Sequence, residues 1–313
     1  MNTALYFIHA LSPLHAGTGQ SVGAIDLPIA RERPTGIPLV PGSSIKGALR
    51  ARYDRPDKHT LFGPDTENAA EFAGAVQFSD AHLLLLPVRS IAGTFAWVTS
   101  PYLLQRFARD AKEGGRNEFV FKDKLDGEGK CLVGTNAAIK TEIGTSKRVI
   151  LEDLDFEANA KDSVDQLANQ IGKILFVNDE QWCETLRQRL CLVHDNVMSL
   201  LLETATEVVA RIKLEEQTKT VADGQLWYEE ALPTESVLYG LLAASNVSKK
   251  VVNERVERLE KSGKDLIDGL RTFSQDTKMV QLGGKGTVGR GMCGLRIAAD
   301  VATPNASGKA GAK

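Results

Sequence analysis

The chain is poor in the features that name a function at sight. Its four cysteines, Cys131, Cys183, Cys191 and Cys293, form no CxxC pair. Their spacing suits neither a zinc knuckle nor a small disulfide scaffold. Scattered thiols fit a reducing, intracellular compartment, and a cytoplasmic location is expected. The five histidines show neither HxxxH nor HExxH spacing, so no preassembled histidine metal site is expected. Neither sign of charge dominates: 38 Lys and Arg stand against 40 Asp and Glu, a net charge of −2. Bulk electrostatics therefore announces no nucleic-acid partner, and any such partner must be met by cations gathered locally. Long apolar runs are missing too, and no basic segment leads into one, so neither a membrane span nor a secretory leader is expected.

What is present is a globular composition, 42% hydrophobic and 25% charged. At 313 residues it allows one large domain or two ordinary ones. Residues 3–11 read as a first strand. Residues 12–41 are rich in glycine and proline, and so long an irregular stretch is usually functional or disordered. A turn at 41–44 then opens a helix over 45–53, with Ser43 or Ser44 as its cap. Strands follow at 75–88 and 93–99. A helix over 101–112 has Ser100 as its cap and Pro101 at its first position, and a further strand falls within 119–133. That order is the ferredoxin-like βαββαβ pattern, which RNA-recognition domains share.

Downstream, a strand is expected near 149–156, with helices over 162–175 and 179–192. Residues 206–214 alternate again. Residues 211–230 suit a protruding hairpin with polar residues near its tip. A long charged helix is expected over 249–270, then two short strands around a glycine-rich loop. Residues 301–313 read as a disordered tail.

That loop, Gly283-Gly284-Lys285-Gly286-Thr287-Val288-Gly289-Arg290-Gly291, satisfies GxGxxG literally. A dinucleotide fold needs the motif between a first strand and a helix, whereas a strand leaves this one. A Walker loop needs Ser or Thr directly after its lysine, and here Gly286 follows Lys285. Two readings remain open. Glycines let the backbone approach an anion closely, with Lys285 and Arg290 adding charge. Equally, the loop could be a tight bulged hairpin in which glycine serves conformation alone.

Lys46 and Arg50 lie four apart on one helix face, and the amide end of that helix suits a phosphate. Taken alone, an ordinary solvated face is the favoured reading, and the glycine-rich stretch before the helix adds weight to the other. His15 and Asp26 lie in the long irregular segment, where a histidine can move a proton and a carboxylate can take a proton or a divalent metal. Taken alone, a surface turn residue for Asp26 and a satisfied structural histidine for His15 are the favoured readings. Tyr228, Glu229 and Glu230 close the hairpin.

Taken in order, these segments resemble a known family. His15-Ala16-Gly17-Thr18-Gly19, Ile25-Asp26-Leu27-Pro28-Ile29 and Pro41-Gly42-Ser43-Ser44-Ile45-Lys46-Gly47 are similar to the N-terminal pattern of RAMP proteins of CRISPR effectors. The terminal glycine loop is similar to their signature loop. Leu61-Phe62-Gly63, the stretch from Gly93 through Trp97 to Pro101, and Trp227-Tyr228-Glu229-Glu230 narrow the resemblance to the repeated backbone subunit of the type III-B Cmr complex. It spans nearly the whole chain.

The resemblance implies a single domain over 1–300, an α+β fold with a modified RNA-recognition core and large insertions, and a thumb hairpin at about 206–232. It implies polymerisation along a guide CRISPR RNA into a helical filament, with other Cmr subunits and a single-stranded target RNA as partners. Target cleavage would occur beside each thumb with a divalent metal, Mg2+ or Mn2+, at Asp26. His15, Tyr228 and one of Glu229 and Glu230 would surround it. Guide contacts would fall to Ser43, Ser44, Lys46, Arg50, Gly284, Lys285, Gly286 and Arg290.

Overall fold

The computed structural model describes residues 1–19, 25–64, 72–214, 221–248, 250–252, 255–277 and 279–299. The expected tail, 301–313, and the hairpin tip, 215–219, lie outside them. In chain order the elements are β1 (Asn2–Ala10), β2 (Leu39–Val40), α1 (Gly42–Arg52), α2 (Lys58–Phe62), β3 (Val76–Phe78), β4 (Ala81–Arg89), β5 (Phe95–Thr99), α3 (Pro101–Glu113), β6 (Lys130–Val133), β7 (Thr141–Ile143), β8 (Ser146–Leu151), β9 (Leu154–Ala160), α4 (Asp162–Leu175), α5 (Glu180–Arg189), β10 (Leu190–Leu192), α6 (Asp195–Thr204), β11 (Glu207–Leu214), β12 (Val221–Ala231), β13 (Val237–Ala244), β14 (Lys250–Val252), β15 (Arg255–Arg258), α7 (Gly263–Asp276), β16 (Val280–Gln281) and β17 (Met292–Ile297). No helix among the described residues is long and apolar enough to cross a membrane.

The fold is mixed α+β around one large sheet. Its strand order is β16-β17-β1-β13-β4-β5-β10-β6-β9-β8-β7, with β2 on β4 and β3 on β13. β1 lies at its heart. Its side chains alternate between two cores: Tyr6 and Ile8 pack with α1, α6 and α7, Leu5 and Phe7 with α3, α4 and α5. A strand buried on both faces must be apolar throughout, as residues 4–8 are.

The neighbours of β1 are β13 and β17, near the far end of the chain. The six-element pattern expected within residues 3–133 is therefore not the pairing unit, because strand alternation encodes faces and not partners. Other differences have local causes. Residues 75–88 form two strands, with Ser79 and Asp80 between them. α5 ends at Arg189 because Leu190–Leu192 is drawn into the sheet between β5 and β6. The charged helix expected over 249–270 is instead the β14–β15 pair followed by α7. That helix starts at a capping box, with the Ser262 hydroxyl on the Asp265 amide and the Asp265 carboxylate on the Ser262 amide.

β11 and β12 form a two-stranded sheet of their own, the expected hairpin. Val208, Ile212, Leu226 and Tyr228 on its flank are all exposed. Isolated two-stranded ribbons are marginal in water. This one is secured at its root, where the described loops converge.

Candidate functional site

The segment after β1 threads past the root of the hairpin. Leu14 and Leu232 exchange backbone hydrogen bonds of 2.9 Å each. His15 is buried, and its Nδ1 lies 2.7 Å from the carbonyl oxygen of Glu230. Its own carbonyl accepts from the Gly284 amide at 2.9 Å, which ties the glycine loop to the same segment. Gly17 leaves room for the imidazole: a Cβ there would fall 2.7 Å from Nε2. Gly283 has φ +71°, and a Cβ on it would meet the His15 carbonyl at 2.2 Å. The glycines therefore bring two loops into backbone contact around one histidine.

Asp26 is exposed, and its Oδ2 accepts from the Tyr228 amide at 2.8 Å. The loop carrying it runs beside β12. The Leu27 amide donates to the Tyr228 carbonyl and the Glu230 amide to the Leu27 carbonyl, both at 3.0 Å. Asp26 thus stands at the foot of the hairpin beside the half-exposed Tyr228 ring.

The paired acids differ sharply from a solvated pair. Successive strand residues point to opposite sides, and each carboxylate meets its own set of donors. Glu229 Oε1 lies 2.9 Å from Lys285 Nζ and accepts from the Trp227 indole at 2.7 Å, while Arg211 Nε is 3.4 Å from Oε2. Burial would raise the Glu229 carboxyl, but the Trp227 and Lys285 donors outweigh it and hold it below the usual range. Glu230 Oε2 accepts from the Ile29 amide at 3.0 Å, and Oε1 from Arg31 Nη2 at 2.5 Å and the Thr206 hydroxyl at 2.9 Å. Both glutamates are buried and satisfied, which suits anchoring better than proton transfer.

In the glycine loop, Lys285 adopts a left-handed conformation at φ 65° and a single 3-10 turn follows over Gly286–Val288. The amides of Gly284, Val288, Gly289, Arg290 and Gly291 are all engaged within the protein. Among the described residues the crest amides, 285–287, take no backbone partner. Arg290 is buried with its Nη1 unpartnered among the described residues.

A depression of about 320 Å³ lies between this loop and α1, lined by Gly17, Pro41, Ser44, Gln281, Gly283 and Gly284. α1 begins at Gly42 with Pro41 as its cap residue, so neither Ser43 nor Ser44 caps it. Both serines are exposed in its first turn. Lys46 and Arg50 are spent inward: Lys46 Nζ donates to the Val76 carbonyl, and Arg50 to the carbonyls of Phe62, Gly63 and Pro64. Burial and the nearby Arg50 lower the Lys46 ammonium from its usual value.

No group of three or more His, Cys, Asp or Glu side chains among the described residues could hold a metal ion. The residues around Asp26 do not form a metal site on their own.

A family model described as the RAMP superfamily matches residues 7–293. The chain belongs to the RAMP superfamily. It is 35% identical over 298 residues to the CRISPR system Cmr endoribonuclease Cmr4 of Pyrococcus furiosus, covering 93% of this chain and 94% of that protein. To the CRISPR system CMR subunit Cmr4 of Saccharolobus solfataricus it is 26% identical, covering 93% and 95%. The crystal structure of oligomeric Cmr4 from Pyrococcus furiosus matches with a TM-score of 0.68 at 25% identity, over 95% of this chain and 98% of that one. A chain of the type III-B Cmr-beta complex bound to cognate target RNA matches with a TM-score of 0.69 at 24% identity, over 95% and 97%, a likeness of fold.

Within this RAMP chain, sequence reasoning passed over Arg31, Glu32, Arg106, Thr206 and Arg211. The charged run Arg31-Glu32-Arg33, set in a glycine- and proline-rich loop, was the available signal for the first two. The others pair with residues removed from them in the chain, Arg106 with Glu32, Thr206 with Glu230 and Arg211 with Glu229, which no local pattern reports.

Proposed function

We propose that this chain is a guide-RNA-binding backbone subunit of a type III-B CRISPR complex, which repeats along the guide and cleaves complementary target RNA at regular intervals. The observation that carries the reading is an exposed aspartate, Asp26, fixed at the foot of the β11–β12 hairpin by the Tyr228 amide. Full-length similarity at 35% identity to a protein named an endoribonuclease supports it. Self-copies and other Cmr subunits are the expected partners, as in the oligomeric Cmr4 and the Cmr-beta complex that this chain resembles.

We further infer that the core is ferredoxin-like. The order β17-β1-β13-β4 with α1 and α7 as its two crossing helices supports this. Everything between residues 90 and 236 is then insertion, with β11–β12 as the thumb.

The guide backbone would cross the depression between α1 and the glycine loop. Ser43, Ser44, the amide end of α1 and the crest of the loop would meet phosphates there. Gly284 and Gly286 allow close approach, Lys285 adds charge, and Arg290 supports the loop from within. Lys46 and Arg50 shape the α1 flank by fixing the backbone beneath it.

At the cleavage point the thumb would hold a target nucleotide out of the A-form stack, freeing its 2′-hydroxyl for in-line attack on the adjacent phosphorus; the P–O5′ bond breaks, leaving a 2′,3′-cyclic phosphate and a 5′-oxygen that takes a proton from water. Asp26 would orient that hydroxyl or take its proton, and His15 would keep the two loops in register. A divalent ion, Mg2+ or Mn2+, would find one protein carboxylate in Asp26 and would need RNA oxygens and water to complete its shell.

The test is target cleavage by assembled complex carrying Asp26→Asn. Loss of about 100-fold or more in rate with normal assembly is expected, the scale of a lost acid–base group. Full activity would remove Asp26 from the chemistry. It would favour instead a non-catalytic RNA-binding filament, a reading that the saturation of Glu229 and Glu230 makes worth separating.

A further inference from the structure

Among its described residues the Asp26 loop makes no helix and belongs to no long strand, so other contacts must fix its position. Two consecutive side chains do so in opposite directions. Arg31 reaches the thumb root: its Nη2 donates to Glu230 Oε1 at 2.5 Å, and its Nη1 donates to the Gly36 carbonyl at 2.9 Å, closing the loop on itself. Glu32 reaches the body of the fold, its carboxylate taking both terminal nitrogens of Arg106 on α3 at 2.6 Å each.

We propose that Arg31 is a positioning residue for target cleavage, acting through Glu230 to hold the Asp26 loop against the thumb. The inference rests on Asp26 being the cleaving residue. Glu230 is 3% exposed and sits on β12. Its carboxylate joins three parts of the chain: the loop through Ile29 and Arg31, the strand that carries it, and Thr206 ahead of β11. The loop's backbone is locked to the same strand at Leu27, one residue beyond Asp26. Without Arg31 the buried carboxylate keeps two neutral donors and loses its cation, so the loop end is released while the hairpin remains paired. A lysine cannot reproduce the arrangement, because the planar guanidinium serves Glu230 and Gly36 together and an ammonium is a single point.

Small displacements of a reacting group are expensive. A shift of about 1 Å can slow a reaction on the order of 100-fold. The two acids at the thumb root thereby acquire separate duties: Glu230 sets where Asp26 stands, and Glu229 holds Lys285 of the glycine loop.

The experiment compares assembled complexes carrying Arg31→Ala, Arg31→Lys and Asp26→Asn in single-turnover cleavage of saturating target RNA, together with hydrogen exchange of the unassembled chain. Arg31→Ala is expected to slow cleavage about 10- to 100-fold while guide loading and target affinity stay within about 2-fold. Arg31→Lys recovers part of the rate. The Leu27 and Ile29 amides exchange faster in Arg31→Ala, and the core amides of β1 and β13 do not. A wild-type rate in Arg31→Ala beside an inactive Asp26→Asn overturns the proposal. So does a slow Arg31→Ala whose guide loading fails and whose exchange rises throughout, since that is general loss of structure. If Asp26→Asn cleaves at full rate, the Asp26 reading falls and this inference falls with it.

Discussion

Lys285 shows how a single residue links the two halves of the site. Its left-handed backbone is uncommon for a side chain with a Cβ, and such positions persist where surroundings hold them. Here the Lys285 carbonyl accepts from the Val288 and Arg290 amides, and its ammonium pairs with buried Glu229. A phosphate at the loop crest would compete for the same ammonium. Replacing the charge, Lys285→Met, is expected to weaken guide-length RNA binding across sequences alike and to lower the salt slope of binding by about 1. Binding titrations at three or more salt concentrations measure both, and an unchanged slope removes Lys285 from the RNA. At this scale much was legible in the chain itself: the identities of His15, Asp26, Lys285 and the two glutamates. Their partners were not. Strand alternation sends Glu229 and Glu230 to opposite sides, but that one finds Lys285 and the other Arg31 depends on loops folded back from 200 residues upstream or 50 downstream.

Among elements, α3 was readable because its start is written locally, with Ser100 accepting from the Leu103 amide and Pro101 in the first turn. α7 carried an equally local capping box at Ser262, obscured by the charged residues ahead of it, whose mixed signs suggested a solvated helix. α5 could not be bounded from its own residues, since packing between β5 and β6 claims its last turn. The loop before α1 offers an acid-sensitive joint. The Arg106 guanidinium holds the Glu32 carboxyl at about 2, against 4.5 for an ordinary glutamate. A depressed carboxylate contributes stability that is complete above 4.5 and disappears as pH falls toward 2. His82, 3.3 Å from Glu32, is lowered by burial and by Arg106, so its protonation acts in the same direction from a higher pH. Thermal melts between pH 5 and 2 should therefore fall less steeply in Glu32→Gln than in wild type. Parallel curves would mean the pair contributes nothing.

For the whole molecule, the large sheet and its two cores follow from apolar runs that the sequence displays openly, such as residues 4–8 and 83–86. The strand order does not, because the closest neighbours in space are among the most distant in the chain. Asn2 faces Ala244 and Phe7 faces Arg296. A chain ending at residue 285 lacks β17 and leaves one side of β1 unpaired. It is expected to lose protease resistance within β1, and native-like resistance in such a chain would show that β13 alone suffices.

The same geometry sets a timetable. At a synthesis rate of about 5–20 residues per second, the first strand leaves the ribosome on the order of 10–60 s before its last partner does. Through that interval an apolar ribbon with both edges open must be kept from other ribbons, including those of sister chains on the same message. The Asp26 loop waits as well, since Glu230 emerges some 200 residues behind it. On the reading proposed above, a nascent fragment lacking Glu230 cannot anchor the Asp26 loop at the thumb root, and cleavage competence arrives only late in synthesis.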